Sequence, residues 1–355
     1  MMPSPAFWAG RRVLLTGHTG FKGSWTALWL EDLGADVAGY ALAPDQTPSL
    51  FEVLGGGKEQ STLADLADEA ALRACVQEFR PEVILHLAAQ PLVRRSYREP
   101  SATFATNVQG TVNLLDAARE LEELSAVLVV TTDKVYANTG TGRRFVENDR
   151  LGGHDPYSAS KACCELVTAC YRSTYFAPRG IGLATARAGN VVGGGDWSED
   201  RLVPDIWRAI RAGEVPELRY PRATRPWQHV LESIAGYLLY VEALTARPGE
   251  SPTALNFGPS PDMPEITVAE VAETFADAAG AASAWAQADG DHPHEMATLA
   301  LDPSLAIDTL GWTPRLDPAT ALQWTAEWYR SFEGGADPRE LTLGQIARYQ
   351  QLAAA

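Results

Sequence analysis

Short, wholly apolar runs alternate with amphipathic stretches over the first two-thirds of the chain. The runs "RVLLTG", "DVAGYAL", "VILHLAA", "AVLVVTT" and "GIGLATAR" are near-continuous in hydrophobicity, the mark of strands buried on both faces. Between them apolar residues recur at helical spacing, as at Trp25, Leu28, Trp29 and Leu33. This alternation predicts β-α-β units on a parallel sheet, an α/β doubly wound fold. Such sheets bind ligands at the carboxyl ends of their strands.

From about residue 190 the texture changes to "VVGGGDW", "RYPRATRPW" and "NFGPSPDMPE", longer loops rich in Gly, Pro and Trp. The expected organisation is a nucleotide-binding unit over residues 1–189 and a smaller C-terminal substrate-binding lobe over 190–355, with some later strands or helices returning to the first unit. At 355 residues, one large α/β domain with a smaller appendage is the expectation. The final "QLAAA" reads as a frayed helix end.

Composition, at 46% hydrophobic and 21% charged residues, is that of a globular protein. The net charge of −16 speaks against nucleic acid or an anionic membrane as partner, yet leaves room for an anionic small ligand in a local basic pocket. Cys75, Cys163, Cys164 and Cys170 follow no disulfide or zinc spacing and are expected to be reduced thiols, with no metal site. "MMPSPAFWAGRR" has no secretory core, and no apolar run approaches the ~20 residues of a membrane span, so a cytoplasmic protein is expected.

"LLTGHTGFKG" places Gly17, Gly20 and Gly23 at three-residue spacing after a strand and at the opening of a helix. Glycines there let backbone approach a pyrophosphate, and the helix N-terminus faces the negative charge. A Rossmann NAD site would add an acid at the end of the second strand, but that strand ends "GYALAPD", with Asp45 further along. Lys22 adds positive charge to the loop, and NAD and NADP both stay open. Asp65, in "LADLAD", is placed to accept from an adenine amine, and "HLAAQ" ends another strand with small residues that leave space for a cofactor.

"YSASK" sets Tyr157 and Lys161 four apart on a helix opened by Pro156, hence on one face. A free phenol titrates near ~10, so a neighbouring ammonium is expected to favour the phenolate and make a usable base. "TTDKVY" closes the fourth of the apolar runs with Thr132, Asp133 and Lys134 side by side.

Together "TGHTGFKG", "HLAAQ", "NVQGT" and "YSASK" resemble the extended short-chain dehydrogenase/reductases that modify nucleotide sugars. Within these, "PSLFE", "AAQPLVRRSY", "TTDKVY", "GGHDPYSASK", "RAGNVVGGGDW", "DRLVPD", "TRPWQHVLE" and "LDPSLAIDTLGW" resemble the CDP-glucose 4,6-dehydratase branch, from about residue 10 to 350. Related dehydratases of dTDP-sugars carry Thr-Asp-Glu where this chain has Thr132-Asp133-Lys134. The resemblance implies a Rossmann-type fold, a homodimer or higher homo-oligomer, and NAD held by Gly17, Thr19, Gly20, Phe21, Lys22, Gly23, Asp65, Leu66, Leu87, Ala88, Ala89, Gln90, Asn107, Tyr157 and Lys161. It implies a nucleotide sugar, most simply a CDP-hexose, held by Arg94, Asn190, Arg201, Arg225, Trp227 and His294.

The implied reaction oxidises C4, expels water from C5 and C6, and returns hydride to C6, so that the cofactor is regenerated in every cycle and is expected to stay bound. In it Tyr157 is the base at O4, helped by Thr132 and steadied by Lys161. Asp133 is the acid at O6, which requires an elevated pKa. Lys134 is the base at C5 or the cation that stabilises the enolate. Trp197 and Trp227 either stack on the base or plug the core. Residues 160–176 are apolar enough for half of a four-helix dimer interface, or for burial inside the monomer. "ANTGTGRRF" and His154 depart from the branch near the expected sugar pocket and leave the exact sugar and nucleotide open. A sugar 4-epimerase would use Tyr157 and Lys161 without Asp133 and Lys134, and a non-catalytic nucleotide sensor would be expected to lack the tyrosine or the lysine.

Overall fold

The computed structural model describes residues 1–56, 60–138, 140, 142–290 and 299–352. Seven strands form one parallel sheet: β1 Arg12–Thr16, β2 Asp36–Ala41, β3 Ser61–Leu63, β4 Val83–His86, β5 Ala126–Val130, β6 Gly182–Ala188 and β7 Ala254–Phe257. Their spatial order is 3-2-1-4-5-6-7, so the topology reverses between β1 and β4. A crevice opens at that point, beyond the carboxyl ends of the strands. The five apolar runs of the sequence are β1, β2, β4, β5 and β6. β3 has only three residues, mostly exposed, and β7 has four residues among loops; neither is long enough to display a period.

Among the described residues the longer helices are α1 Phe21–Asp32, α2 Glu69–Phe79, α3 Gly110–Ala118, α4 Pro156–Tyr171, α5 Leu202–Ala212, α6 Val230–Ala246, α7 Val268–Ala279, α8 Pro318–Glu333 and α9 Pro338–Gln351. Alternate residues of one strand serve opposite cores. Val13, Leu15, Val83, Leu85 and Leu128 pack with Trp25 and Trp29 of α1 and Ile234 and Leu238 of α6. Leu14, Ile84, Val127 and Val129 pack with Leu72 and Val76 of α2 and Leu114 of α3. No helix among the described residues is long and apolar enough to cross a membrane.

The loop after β6 is fixed from two sides. Trp25 of α1 donates its indole N–H to the Gly194 carbonyl at 3.0 Å, and Tyr329 of α8 donates to the Asp196 carbonyl. A Cβ at Gly194 would lie 2.0 Å from Cγ of Trp328, so only glycine lets the loop lie against α8. Trp197 packs on Trp328, Tyr329 and Phe332 with ring centroids 5.8, 6.1 and 5.5 Å away. Of its two expected roles, this is the core plug.

The C-terminal segments are tied to the sheet by one buried carboxyl. Glu232 of α6 accepts the backbone N–H groups of Arg315 and Leu316 at 2.8 and 2.7 Å and the Tyr349 hydroxyl of α9 at 2.6 Å. Burial pushes its pKa from 4.5 up to about 7, against the pull of these donors. The folded state therefore holds this proton more tightly than the unfolded chain, so the stabilisation is complete below 4.5 and is lost as pH rises through about 7. Urea-unfolding midpoints measured across that window are expected to fall for the wild type and to change less for Glu232→Gln, whose amide keeps both backbone donors without the charge.

Candidate active site

The glycine loop forms because backbone passes backbone too closely for side chains. Gly17 has φ of +77°, and a Cβ there would lie 2.6 Å from the Ala88 nitrogen; one at Gly23 would lie 2.0 Å from the Gly17 oxygen. A Cβ at Gly20 would touch only the Gly17 oxygen, at 3.4 Å, and would otherwise fill the cavity that Gly20 lines. No side chain caps α1 at its start, which leaves the helix N-terminus to a ligand. Phe21 and Lys22 of its first turn border the same space. Thr19 donates its hydroxyl to the Leu42 carbonyl at 2.8 Å, tying the loop to the end of β2.

The cavity, of about 1100 Å³, lies across the topological switch and is long enough for a dinucleotide and a nucleotide sugar together. At one end Asp65 and Leu66 line it, beside Leu42 and Asp45. Leu87, Ala88, Ala89 and Gln90 form the wall beyond β4. Asn107 stands behind that wall rather than on it. Its amide accepts from the Gln90 N–H at 2.8 Å and donates to the Gln90 carbonyl and the Ser160 hydroxyl at 3.2 and 2.8 Å, so it shapes the wall and offers nothing free to a ligand.

Past β5 the chain turns through Asp133–Val135 and brings Thr132, Asp133 and Lys134 to the cavity. Thr132 donates to Asp133 Oδ1 at 2.9 Å, while Oδ2, buried, has no hydrogen-bond partner among the described residues. Burial pushes the Asp133 carboxyl up; the Lys134 ammonium, the Thr132 hydroxyl and Arg225 oppose it. Gly189 passes so close that a Cβ would lie 3.2 Å from that free oxygen.

Tyr157 enters from α4, whose N-cap Asp155 accepts the Ser158 N–H at 2.9 Å and whose first residue is Pro156. Lys161 follows one turn later, and both line the cavity. The expected lowering of the phenol pKa is not found. Burial pushes it up to about 12 against a hydrogen bond with Thr132, and the Lys161 ammonium is engaged by the Val130 carbonyl at 2.9 Å. Burial lowers the Lys161 pKa as well.

The local basic pocket expected in this acidic chain is present. Lys22, Lys161, Arg201 and Arg225 all border the cavity. Burial, with repulsion from Arg201 and Lys161, brings the Lys22 pKa down to about 7, and its ammonium donates to the Tyr237 hydroxyl at 3.2 Å. Arg201 pairs with Asp196 at 3.0 Å and Arg94 with Asp200 at 2.6 Å. Arg95, next to Arg94, also lines the cavity and pairs with Asp45 at 3.1 Å. Asn190 and Trp227 border it too, Trp227 with a buried indole N–H that has no partner among the described residues. His294 lies outside the described residues. Sequence reading missed Glu214–Tyr220 with Ile206 and Ala209 of α5 at the far end; that stretch carries no recognisable motif, and only the packing of α5 brings it there.

The family model for GDP-mannose 4,6 dehydratase matches residues 14–323. A CDP-glucose 4,6-dehydratase of Salmonella typhimurium is 42% identical over 349 residues, 97% of each chain. A probable dTDP-glucose 4,6-dehydratase of Sinorhizobium fredii is 27% identical over 90% of this chain and 92% of its own. Among solved structures, the Thermus thermophilus UDP-glucose 4-epimerase complex with NAD superposes with a TM-score of 0.75 at 25% identity, over 90% of this chain and 99% of that one. The dTDP-glucose 4,6-dehydratase of Bacillus anthracis in complex with NAD gives 0.74 at 21% identity, over 93% and 100%, and bears on the fold. With a matching sequence over nearly its whole length and a cavity that gathers the glycine loop and the Thr132–Asp133–Lys134 turn, the chain belongs to the GDP-mannose 4,6 dehydratase family.

Proposed function

We propose that this protein is an NAD-dependent nucleotide-sugar 4,6-dehydratase that converts CDP-D-glucose to CDP-4-dehydro-6-deoxy-D-glucose, working as a cytoplasmic homodimer. The observation that carries the reading is the shared cavity: Asp133, with an unpartnered buried oxygen, and Lys134 open onto the space that Tyr157, Lys161 and the glycine loop also border. The 42% identity to a CDP-glucose 4,6-dehydratase supports the choice of nucleotide. For the dimer, support comes from α4 and its neighbourhood, where Leu166 is 64% and Tyr97 47% exposed.

Gly17, Gly20 and Gly23 clear the approach for the pyrophosphate of NAD, and the N-terminus of α1 faces its charge. Bound NAD supplies an electron-pair acceptor at C4 of the hexose and the same pair, later, for C6. Tyr157, coupled to Thr132, takes the proton from O4. Burial pushes the phenol up to about 12, so its use as a base needs positive charge nearby, and Arg201, which already pulls it down, and Lys161, on the same helix face, are the residues placed to give it. Once C4 is a ketone, the C5 hydrogen is acidic. Lys134 removes it or steadies the resulting enolate. Asp133 gives its proton to O6, which leaves C6 as water; the hydride that bound NAD would return to C6, with a proton at C5, would complete the product. Arg94, Arg201, Arg225, Asn190 and Trp227 hold the nucleotide sugar, the guanidinium groups by forked hydrogen bonds to its diphosphate.

Incubation with NAD and a panel of nucleoside-diphosphate hexoses tests the reading. Loss of one water from CDP-glucose, seen by mass spectrometry, is expected; recovery of a 4-epimer of unchanged mass would sink it. Asp133→Asn is expected to lower water elimination about 10²–10⁴-fold while C4 oxidation persists, and Tyr157→Phe to lower oxidation by a similar factor. Because burial raises the Asp133 pKa, elimination should decline as pH rises through that raised value, and Asp133→Asn should flatten this limb in single-turnover measurements.

A further inference from the structure

Beneath the catalytic turn lies a buried ion pair that no step above uses. Glu165 sits on α4 one turn beyond Lys161 and two beyond Tyr157, on the same face. Its Oε1 accepts from the Thr131 hydroxyl at 2.6 Å and from Arg187 Nε at 2.9 Å; its Oε2 accepts from the Thr185 hydroxyl and from Arg187 Nη2, both at 2.7 Å. Arg187, on β6, turns its remaining nitrogen to the Tyr136 hydroxyl at 2.9 Å and the Glu147 carbonyl at 2.8 Å. Tyr136 in turn donates to Asn256 Oδ1, on β7, at 2.7 Å. The Glu165 and Arg187 side chains are 4% and 5% exposed.

A pair buried this deeply is weak evidence for stability, because desolvating two charges costs about as much as their attraction returns. Its geometry is more telling. Thr131 immediately precedes Thr132, and Tyr136 comes two residues after Lys134, so the pair grips both ends of the segment that carries the three catalytic side chains. The carboxylate doing so stands on the helix that carries Tyr157 and Lys161. The forked contact between Arg187 and Glu165 fixes orientation as well as distance.

We propose that Glu165 and Arg187 are positioning residues for water elimination, which set the Thr132–Asp133–Lys134 turn in register with Tyr157 and Lys161 through Thr131 at one end and Tyr136 at the other. The proposal rests on the dehydratase reading. Misplacement of a reacting group by about 1 Å costs on the order of 10²-fold in rate. Oxidation should suffer less, since Tyr157 and Lys161 keep their place on α4 whatever the turn does.

Thr131→Val and Tyr136→Phe each remove one grip while leaving both members of the ion pair in place. Mixed with NAD and CDP-glucose in a stopped-flow instrument, each is expected to reduce nicotinamide, followed by its near-ultraviolet absorbance, within about threefold of the wild-type rate. Each is expected to release dehydrated product about tenfold to a hundredfold more slowly. Thr131→Ser, which restores the hydroxyl, should recover elimination. Variants that eliminate water at the wild-type rate would overturn the proposal, as would variants that lose oxidation and elimination in equal measure and in step with their melting temperature. A wild type inert toward every hexose of the panel would overturn the dehydratase reading and this proposal together, whereas an active wild type matched by both variants overturns the proposal alone.

Discussion

A carboxyl group that is to give up a proton near neutrality must first be prevented from losing it to water. In Asp133 burial raises the carboxyl pKa, with one oxygen held by Thr132 and the other, itself buried, without a hydrogen-bond partner among the described residues. The surroundings follow from this. Gly189 is glycine where a methyl would press on that oxygen, and the Lys134 ammonium and Arg225 pull against the raised pKa. Desolvation is costly, and the sheet, with its two large apolar cores, is what sustains it.

The same cavity has to attract anions into a chain with a net charge of −16. Concentrating Lys22, Lys161, Arg201 and Arg225 at one place makes them repel one another, and the lowered pKa of Lys22 is the measure of that repulsion and of its burial. A diphosphate relieves it. Ligand binding and cation repulsion are therefore two sides of one balance, and acidic residues elsewhere on the surface have no strong voice in it, since exposed charges beyond about 8–10 Å are screened at physiological salt.

The features legible in the sequence are those with local causes. β1, β2, β4, β5 and β6 are long enough to show as apolar runs; Asp155 and Pro156 announce α4, and the spacing of Tyr157 and Lys161 does the rest. β3 and β7 escaped because three and four residues cannot show a period. The motif around Asn107 resembles a cofactor contact, but nothing local foretells that its amide is engaged by the Gln90 backbone and Ser160. The direction of the Tyr157 shift is not legible either, since i,i+4 spacing foretells a neighbour on the helix but not the burial that pushes the phenol up, nor that the Val130 carbonyl engages the ammonium. The Glu165–Arg187 pair was invisible for a related reason: its partners come from α4, β5, β6 and β7, elements brought together only by the finished sheet.

β7 belongs to the same sheet as β1, although most of the chain lies between them. On a ribosome, the glycine loop and the catalytic turn emerge long before residues 254–257 are made. Until then β6 presents an unpaired edge, and Asn256 is not yet available to Tyr136. The order of synthesis thus leaves a nascent chain with its candidate site residues already emerged but β6 still without its neighbour, an open sheet edge of the kind that pairs with other chains.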